Sequence, residues 1–175
     1  ILERRRAFVS ELEGMFQVYY DRVSLGREKV MLEYSTTIKN DDFPTSLRGS
    51  FERDRILTYT TVGVHRDDLN LSLEGYPVKK LGSQGQKKSF LTALKLAQFA
   101  YLVKQKGVKP LLLLDDIFDK LDADRVSQII QIVSSTDFGQ VFVTDTNREH
   151  IDEILQQHAM EYKIFHVERG EVMDL

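Results

Sequence analysis

Four consecutive leucines lead into a pair of aspartates in the segment Leu111-Leu112-Leu113-Leu114-Asp115-Asp116. Gly107 and Pro110 precede the leucines and interrupt the helical pattern before them. A short apolar run bounded by such breakers is typical of a parallel strand that is covered on both faces. Parallel strands of α/β proteins deliver polar side chains to the carboxyl edge of the sheet, where ligands bind. The segment therefore predicts a central strand with two carboxylates at its functional end.

The segments after this strand alternate between helical and extended patterns. Apolar spacing predicts helices over residues 124–135 and 147–158, a buried strand over 141–144, and a closing strand and turn over 162–172. Alternation of strand and helix is the pattern of an α/β fold with a parallel sheet and flanking helices.

The segments before the leucine strand mix helix and strand. Periodicity and turn residues predict elements in this order: a helix over 2–23, a strand over 29–38, a helix capped by Asp42 and ending near 56, strands over 57–64 and 68–73, an edge arm over 76–78, and a helix over 87–105. The last helix is apolar nearly all round, so we expect it to be well buried.

Composition excludes several classes of protein. The 175 residues are 42% hydrophobic and 29% charged, which is ordinary for a globular domain and too apolar for a disordered chain. No run of about 18 apolar residues exists that could span a membrane, and the absence of cysteine excludes thiolate chemistry. The net charge of −3 argues against a uniformly basic nucleic-acid coat. Because the chain opens with Ile1 inside a helical pattern, we expect it to be a piece of a longer protein.

The aspartate pair has the form of a Walker B element. One carboxylate at such an edge can hold Mg²⁺ on a nucleotide, and its neighbour can orient or polarise an attacking water. Apolar strands that end in aspartate are also common in proteins without this chemistry, so the pattern alone leaves a purely structural role open.

The segment Gly82-Ser83-Gln84-Gly85-Gln86 precedes the long helix. Small residues at a helix amino terminus expose backbone N–H groups and the positive end of the dipole, which together bind phosphate. Ser83 adds a hydroxyl donor. The segment lacks the lysine of a Walker A motif, so it is not a principal phosphate loop, and an ordinary helix-starting turn is the alternative.

The order of these motifs resembles that of the carboxyl-terminal lobe of an ABC-type ATPase. Their amino-acid sequences closely resemble those of the RecF family of bacterial recombination-mediator ATPases. The resemblance is dense between residues 61 and 144 and rests on five blocks: Gly63-Val64-His65-Arg66-Asp67-Asp68-Leu69, Leu81-Gly82-Ser83-Gln84-Gly85-Gln86, Leu94-Lys95-Leu96-Ala97-Gln98, Leu112-Leu113-Leu114-Asp115-Asp116 and Leu121-Asp122.

The resemblance implies a role for each matching residue. The signature motif, which contacts the γ-phosphate of ATP held by the opposite subunit, corresponds to Ser83, Gln84, Gly85 and Gln86. Asp115 corresponds to the Walker B ligand of Mg²⁺, and Asp116 stands at the position of the catalytic acid. The D-loop, which crosses the dimer interface, corresponds to Asp119, Lys120, Leu121 and Asp122.

Three features qualify the resemblance. Where ABC ATPases usually carry a histidine after Walker B, the sequence has Thr144, Asp145 and Thr146. Thr144 and Asp145 are the candidate γ-phosphate sensors, with the Thr144 or the Thr146 hydroxyl as the substitute donor. The family motif Gly-Pro-His-Arg has Val64 in place of proline. No Walker A motif occurs anywhere in the sequence. The resemblance implies that residues 1–56 are most of a helical and β arm and that residues 57–175 are the carboxyl-terminal lobe. Because a Walker A motif is missing, we expect the chain alone to be inactive.

The resemblance also implies a function for the full-length protein. It would be a cytoplasmic DNA replication, recombination and repair protein, connected with the SOS response, that binds single-strand gaps or junctions without sequence specificity. It would form an ATP-dependent homodimer, hydrolyse ATP slowly with Mg²⁺ as a weak DNA-dependent ATPase, assist recombinase loading, and work with mediators such as RecR and RecO. The candidate DNA contacts are the basic residues Arg4, Arg5, Arg6, Lys79 and Lys80, although such clusters are also common on solvated faces.

Three other hypotheses remain at the level of sequence. The first is the head of an SMC-like chromosome-maintenance ATPase, although the residues before Thr61 lack the sustained heptads of a coiled coil. The second is a non-enzymatic docking domain in which Asp115 and Asp116 only end a strand. A membrane-transporter ATPase subunit is the third; the second Walker B acid is aspartate and no transporter-coupling arm is evident, and both features disfavour it.

Overall fold

The computed structural model describes residues 1–116, 118–146 and 161–174. Five α-helices occur in these ranges: α1 (Leu2–Ser24), α2 (Phe43–Leu57), α3 (Val78–Leu81), α4 (Gln84–Lys106) and α5 (Ala123–Val133). The strands are β1 (Val30–Ser35), β2 (Asp68–Leu73), β3 (Tyr76–Pro77), β4 (Leu112–Asp115), β5 (Val141–Thr144), β6 (Phe165–Glu168) and β7 (Glu171–Asp174). The helix predicted over 147–158 lies outside the described residues.

The first sheet is an antiparallel meander in the order β1-β2-β3. Val30 lies opposite Leu73 and Ser35 opposite Asp68, so β1 and β2 pair along their full lengths. The chain reverses after β2 through Glu74 and Gly75, which both adopt positive φ as a tight hairpin turn requires. Pro77 lies in β3 at the sheet edge, where its missing N–H costs no ladder hydrogen bond. The predicted hairpin is confirmed.

The second sheet is the parallel pair β4–β5, in which Leu112 lies opposite Val141 and Asp115 opposite Thr144. Helix α5 lies between these strands in the chain, and its apolar face buries Val126 and Ile129. This βαβ arrangement confirms the predicted α/β class with a parallel sheet. The closing residues form a separate antiparallel hairpin, β6–β7.

The predicted strand over 57–64 is wrong. Helix α2 continues to Leu57, Thr58 then adopts a left-handed conformation, and a short 3₁₀ turn occupies Val64–Arg66. The reason is visible in the hydrogen bonds, because Asp54 accepts from the Thr61 N–H at 3.0 Å and also from the Thr61 hydroxyl. Side-chain acceptors of this kind satisfy backbone donors outside a sheet and so compete with strand pairing.

Burial of the leucine strand also differs from the prediction. Leu112 and Leu114 are 7% and 1% exposed, whereas Leu113 between them is 64% exposed. Among the described residues β4 pairs with β5 alone, and side chains of a strand alternate between faces, so only one face is covered here. Helix α4 likewise starts earlier than predicted, at Gln84, and leaves Leu91 exposed.

Two hydrophobic clusters meet at α4. Its residues Leu96 and Phe99 belong to a cluster with β4 and α5, while Phe90, Ala93 and Ala97 belong to a cluster with α1, β1 and β2. The rings of Phe16 and Phe90 have centroids 4.6 Å apart, which joins α1 directly to α4.

Residues on both sides of the expected boundary at residue 56 contribute to the second of these clusters. Leu32 of β1 and Leu73 of β2 pack together in it, on opposite strands of one sheet. The division of the chain into an arm over 1–56 and a lobe over 57–175 stays a prediction.

The packing predicts a large cost for truncating the α1 contact. Phe16 is fully buried, so Phe16→Ala should lower the free energy of unfolding by about 3–5 kcal/mol through lost burial and an internal cavity. Val18 on the same helix is 58% exposed, and Val18→Ala should change it by at most about 0.5 kcal/mol. Urea unfolding followed by circular dichroism measures both. Equal losses for the two variants would contradict this packing.

Candidate functional site

The turn before α4 is built as a capping box. Ser83 is the N-cap; its hydroxyl oxygen accepts a hydrogen bond from the Gln86 N–H at 3.2 Å. The Gln86 side-chain oxygen in turn accepts from the Ser83 N–H at 2.8 Å. Such reciprocal bonds satisfy two donors that the first helical turn leaves open. Because a hydroxyl carries a proton as well as lone pairs, Ser83, which is exposed, can still donate to an anion.

Gly85 allows this turn to approach the segment after Asp116. A Cβ atom added at Gly85 would lie 3.0 Å from the carbonyl oxygen of Lys120. A side chain at this position would require the Lys120 carbonyl to move by a few tenths of an ångström. The structure brings together the two segments that the sequence predicts as signature motif and D-loop.

The carboxylate pair lies at the carboxyl end of β4, as predicted. The Thr144 hydroxyl, at the end of β5, donates to Asp115 Oδ1. The Asp116 N–H lies 3.1 Å from both Thr144 Oγ1 and the Thr144 carbonyl oxygen. Asp116 has a φ of 47°, a left-handed conformation that aspartate tolerates better than most residues. Thr144 therefore hydrogen-bonds to both members of the pair, to the Asp115 carboxylate and to the Asp116 backbone.

Lys88 connects the helix α4 to this edge. Its ammonium nitrogen donates to the Asp116 carbonyl oxygen at 2.7 Å and lies 3.6 Å from a carboxylate oxygen of each of Asp116 and Asp119. Lys88 is not among the candidate residues that the sequence singles out, and nothing in the sequence distinguishes it from Lys87. Its position one turn into α4 makes it a link between the turn at Ser83 and the carboxylate pair.

The segment 119–122 turns from the sheet edge into α5. Lys120 adopts positive φ, and its ammonium lies 3.6 Å from Asp119. Leu121 packs against the cluster of β4 and α5. Asp122 is the N-cap of α5 and accepts from the Arg125 N–H at 2.9 Å. The D-loop residues are therefore partly anchored through Leu121 and Asp122, while Asp119 and Lys120 are exposed.

The Glu28 carboxylate, which the sequence analysis did not identify, contacts both the turn before α4 and the start of α5. Glu28 Oε1 accepts from Gln86 Nε2 at 2.9 Å and from Arg125 at 3.0 Å, and Glu28 Oε2 accepts from the Tyr20 hydroxyl at 2.6 Å. Arg125 also donates to Ser89 Oγ at 2.8 Å. Glu28 is 58 and 97 residues from Gln86 and Arg125, so only the folded chain reveals this contact.

The network shifts the ionisation of its members. Burial acts to raise the pKa of Glu28, but hydrogen bonds from Tyr20, Gln86 and Arg125 outweigh it and hold that pKa below the ordinary value. Burial and the bond to Glu28 together raise the pKa of the Tyr20 hydroxyl. Burial acts to lower the pKa of Arg125, and the contact with Glu28 overcomes it and raises that pKa. Glu28 and Arg125 therefore form a charged pair at neutral pH.

The basic candidates differ in their surroundings. Arg5 lies 2.8 Å from the nearly buried carboxylate of Asp67 and also donates to the Val64 carbonyl oxygen. The Tyr34 hydroxyl donates to the same carboxylate. Arg5 is thus bonded within the chain. The other four candidates are exposed: Arg4, Arg6, Lys79 and Lys80.

The donor set at the sheet edge suits Mg²⁺ held together with phosphate. No group of three or more acidic or histidine side chains that could hold a metal ion occurs in residues 1–116, 118–146 and 161–174. Mg²⁺ usually binds through one or two carboxylates and the oxygens of a nucleotide. Asp115 offers such a carboxylate, and its bond from Thr144 leaves its second oxygen available for a cation.

Solved structures with the same fold define its class. The structure of the recombination mediator protein RecF with ATPrS, described as part of the RecFOR pathway, superposes with a TM-score of 0.71 at 24% identity, over all of this chain and 46% of that one. The SMC head bound to the C-winged helix domain of ScpA superposes with a TM-score of 0.59 at 17% identity, over 97% of this chain and 44% of that one. The fold is that of RecF and SMC ATPase heads.

Sequence comparison narrows the class to one family. The chain is 49% identical to the DNA replication and repair protein RecF of Parabacteroides distasonis and 47% identical to that of Bacteroides fragilis, in each case over its whole length. The chain is therefore a homologue of the carboxyl-terminal part of RecF proteins, and the SMC alternative is the weaker one. It spans about half the length of the curated relatives it matches, corresponding to their carboxyl-terminal part. No protein-family model matches the chain. None of the helices that the structure describes has the length and apolarity needed to cross a membrane.

The ionisation of Glu28 predicts a pH-dependent stability. Glu28→Gln should lower the free energy of unfolding at pH 7 by about 1.5–3 kcal/mol, the contribution of hydrogen bonds to a charged group. Because the pKa of Glu28 is lower in the folded than in the unfolded chain, this difference is complete above about pH 4.5 and disappears as the pH falls through the folded pKa. Urea unfolding of both proteins between pH 7 and 3 tests it; a difference that grows on acidification would refute the ion-pair account.

Proposed function

We propose that this chain is the carboxyl-terminal lobe of an ATP-binding head, and that the turn Ser83–Gln86 binds the γ-phosphate of ATP held by a second subunit. The supporting observation is the position of this exposed, capped helix start beside the carboxylate edge, to which Lys88 connects it. A helix amino terminus supplies N–H donors and a positive dipole end. Ser83 and the N–H groups near Gly85 are the proposed phosphate ligands.

In this proposal the carboxylate edge acts on the nucleotide of its own subunit. Asp115 would hold Mg²⁺, which when bound would supply positive charge opposite the phosphates, and Asp116 would orient the attacking water. Thr144 and Asp145 take the place of the γ-phosphate sensor, with Thr144 acting through its hydrogen bond to Asp115. The segment 119–122 crosses to the other subunit as the D-loop.

For the full-length protein we propose the function carried by the family name, DNA replication and repair. It binds DNA at single-strand gaps or junctions, dimerises with ATP, hydrolyses it slowly, and assists recombinase loading with mediators such as RecR and RecO in the cytoplasm during the SOS response. Phosphate contacts from Arg4, Arg6, Lys79 and Lys80 would make DNA binding salt-dependent; Arg5, bonded to Asp67, is the weakest of the five candidates. Residues 1–56 would form most of the arm, and this chain alone would be inactive.

A substitution at Asp116 tests the proposed catalytic role. In the full-length protein Asp116→Asn should leave ATP binding within twofold and abolish measurable hydrolysis, because the side chain keeps its size and loses the charge that polarises water. Nucleotide titration and phosphate release measure the two effects. Glu171→Gln, a change of the same kind in the exposed hairpin β6–β7, is the control. Normal turnover in Asp116→Asn would assign the catalytic acid elsewhere.

A substitution at Ser83 tests the proposed contact between subunits. Two such sites in a symmetric dimer, each a hydrogen bond to a charged group, contribute roughly 3–6 kcal/mol, so their loss should weaken the dimer more than a hundredfold. Full-length Ser83→Arg should therefore fail to dimerise with ATP while its monomer binds ATP normally. Sedimentation with and without ATP measures association. Loss of monomer ATP affinity with intact dimerisation would return Gly82–Gln86 to the role of a helix-starting turn.

A further inference from the structure

Glu28 lies in the connection between α1 and β1, outside every motif that the sequence singles out. Its two oxygens have different partners: Oε2 accepts from Tyr20 of α1, and Oε1 is shared by Gln86 and Arg125. Gln86 belongs to the turn that starts α4, and Arg125 belongs to the first turn of α5. One carboxylate oxygen therefore holds the starts of two helices that come from distant parts of the chain.

Arg125 uses its guanidinium to reach three segments at once. It donates to Glu28 at 3.0 Å, to Ser89 of α4 at 2.8 Å, and through Nε to Asp122 at 3.2 Å. The side chains of Arg125 and Glu28 are only 13% and 14% exposed, so water competes little for these bonds. A planar fork of donors makes such a set of contacts possible, whereas a lysine ammonium is a single point charge and does not reproduce it.

We propose that Glu28 and Arg125 are positioning residues that set the turn at Ser83 against the segment 119–122. This proposal rests on the proposed function, in which both segments reach the second subunit. Gln86, which is bonded to Glu28, is also bonded to Ser83 through the capping box. Arg125 is bonded to Asp122, the last residue of the segment 119–122. Gly85 also lies close to the Lys120 carbonyl oxygen, so the two segments approach each other directly at this point.

The position of the pair explains why it affects function as well as stability. A phosphate ligand misplaced by about 1 Å loses much of its effect on a bound group. When Glu28 or Arg125 is altered, the capping box can still form locally, because Ser83 and Gln86 bond to each other. The variant chain should therefore stay folded while its two contact segments lose their fixed spacing.

The test uses Arg125→Lys in the full-length protein, with Tyr20→Phe as the matched control. Arg125→Lys keeps the charge but loses the fork, and it should weaken ATP-dependent dimerisation at least tenfold while monomer ATP affinity stays within twofold. Tyr20→Phe removes the hydroxyl that is bonded to Glu28 Oε2 and also interacts with Arg125, and it leaves the bonds from Gln86 and Arg125 to Oε1. It should lower thermal stability and leave dimerisation within twofold. Sedimentation with ATP and nucleotide titration supply both quantities.

A double-substitution cycle separates positioning from a general loss of stability. If Arg125 acts through the turn, Arg125→Lys combined with Ser83→Ala should weaken the dimer by less than the product of the two single effects. Effects that multiply would overturn the proposal, and so would wild-type dimerisation of Arg125→Lys. If Arg125→Lys does not fold, Glu28→Gln takes its place with the same expected results.

The outcomes also distinguish this proposal from the function on which it rests. If the wild-type protein dimerises with ATP and Ser83→Arg does not, but Arg125→Lys does, the positioning role alone is refuted. If the wild-type protein does not dimerise with ATP at all, the proposed function fails and the positioning role fails with it.

Discussion

Helix α4 is packed from two sides, and the placement of the candidate site depends on that packing. Phe90 faces Phe16 and Tyr20 of α1, and Leu96 faces the cluster of β4 and α5. The apolar contacts fix the axis of α4, and its first residues then lie beside the end of β4. In this position Lys88 lies within hydrogen-bond distance of the Asp116 carbonyl oxygen. The order of causes runs from core packing to helix position and then to the polar contacts of the site.

Polar contacts at the start of α4 serve two separate purposes. The capping box between Ser83 and Gln86 satisfies the backbone locally and can form in any helix with this sequence. The bond from Gln86 to Glu28 adds a long-range constraint that the capping box by itself lacks. A single glutamine thus connects the local geometry of the turn to the packing of α1 and α5, which is why the Glu28 carboxylate matters at a distance from the proposed phosphate ligands.

The sequence permitted correct predictions wherever a local rule decides the structure. Asp42 caps α2 and Ser83 caps α4, because short polar side chains before a helix satisfy its first N–H groups. The leucine run forms strand β4 and delivers the aspartate pair to its carboxyl end as predicted, although only Leu112 and Leu114 of the run are buried. The sequences and order of the motifs predicted a resemblance to the RecF family, and the identity to curated relatives over the whole of this chain confirms it.

Predictions failed where residues far apart in the sequence, or tertiary packing, determine the local structure. The segment 57–64 has strand composition, but Asp54 takes the Thr61 donors and no strand forms. Leu113 belongs to an apolar run, yet its exposure depends on which elements cover the sheet. Glu28 and Lys88 carry no motif, because the partners that connect them to the site, Gln86 and Arg125 for Glu28 and Asp116 for Lys88, lie 28 to 97 residues away in the chain. Only tertiary packing assigns them to the site.

The central claim is that the turn at Ser83 serves the nucleotide of the other subunit, while Asp116 serves its own. Mixed dimers of the full-length protein test it, with Asp116→Asn and Ser83→Arg placed either in different subunits or together in one. If the claim is right, separate placement damages one nucleotide site twice and leaves the other intact, so about half of the ATP hydrolysis should remain. Placement in one subunit should abolish hydrolysis. The reverse result, activity with both substitutions in one subunit and none when they are separated, would contradict the account.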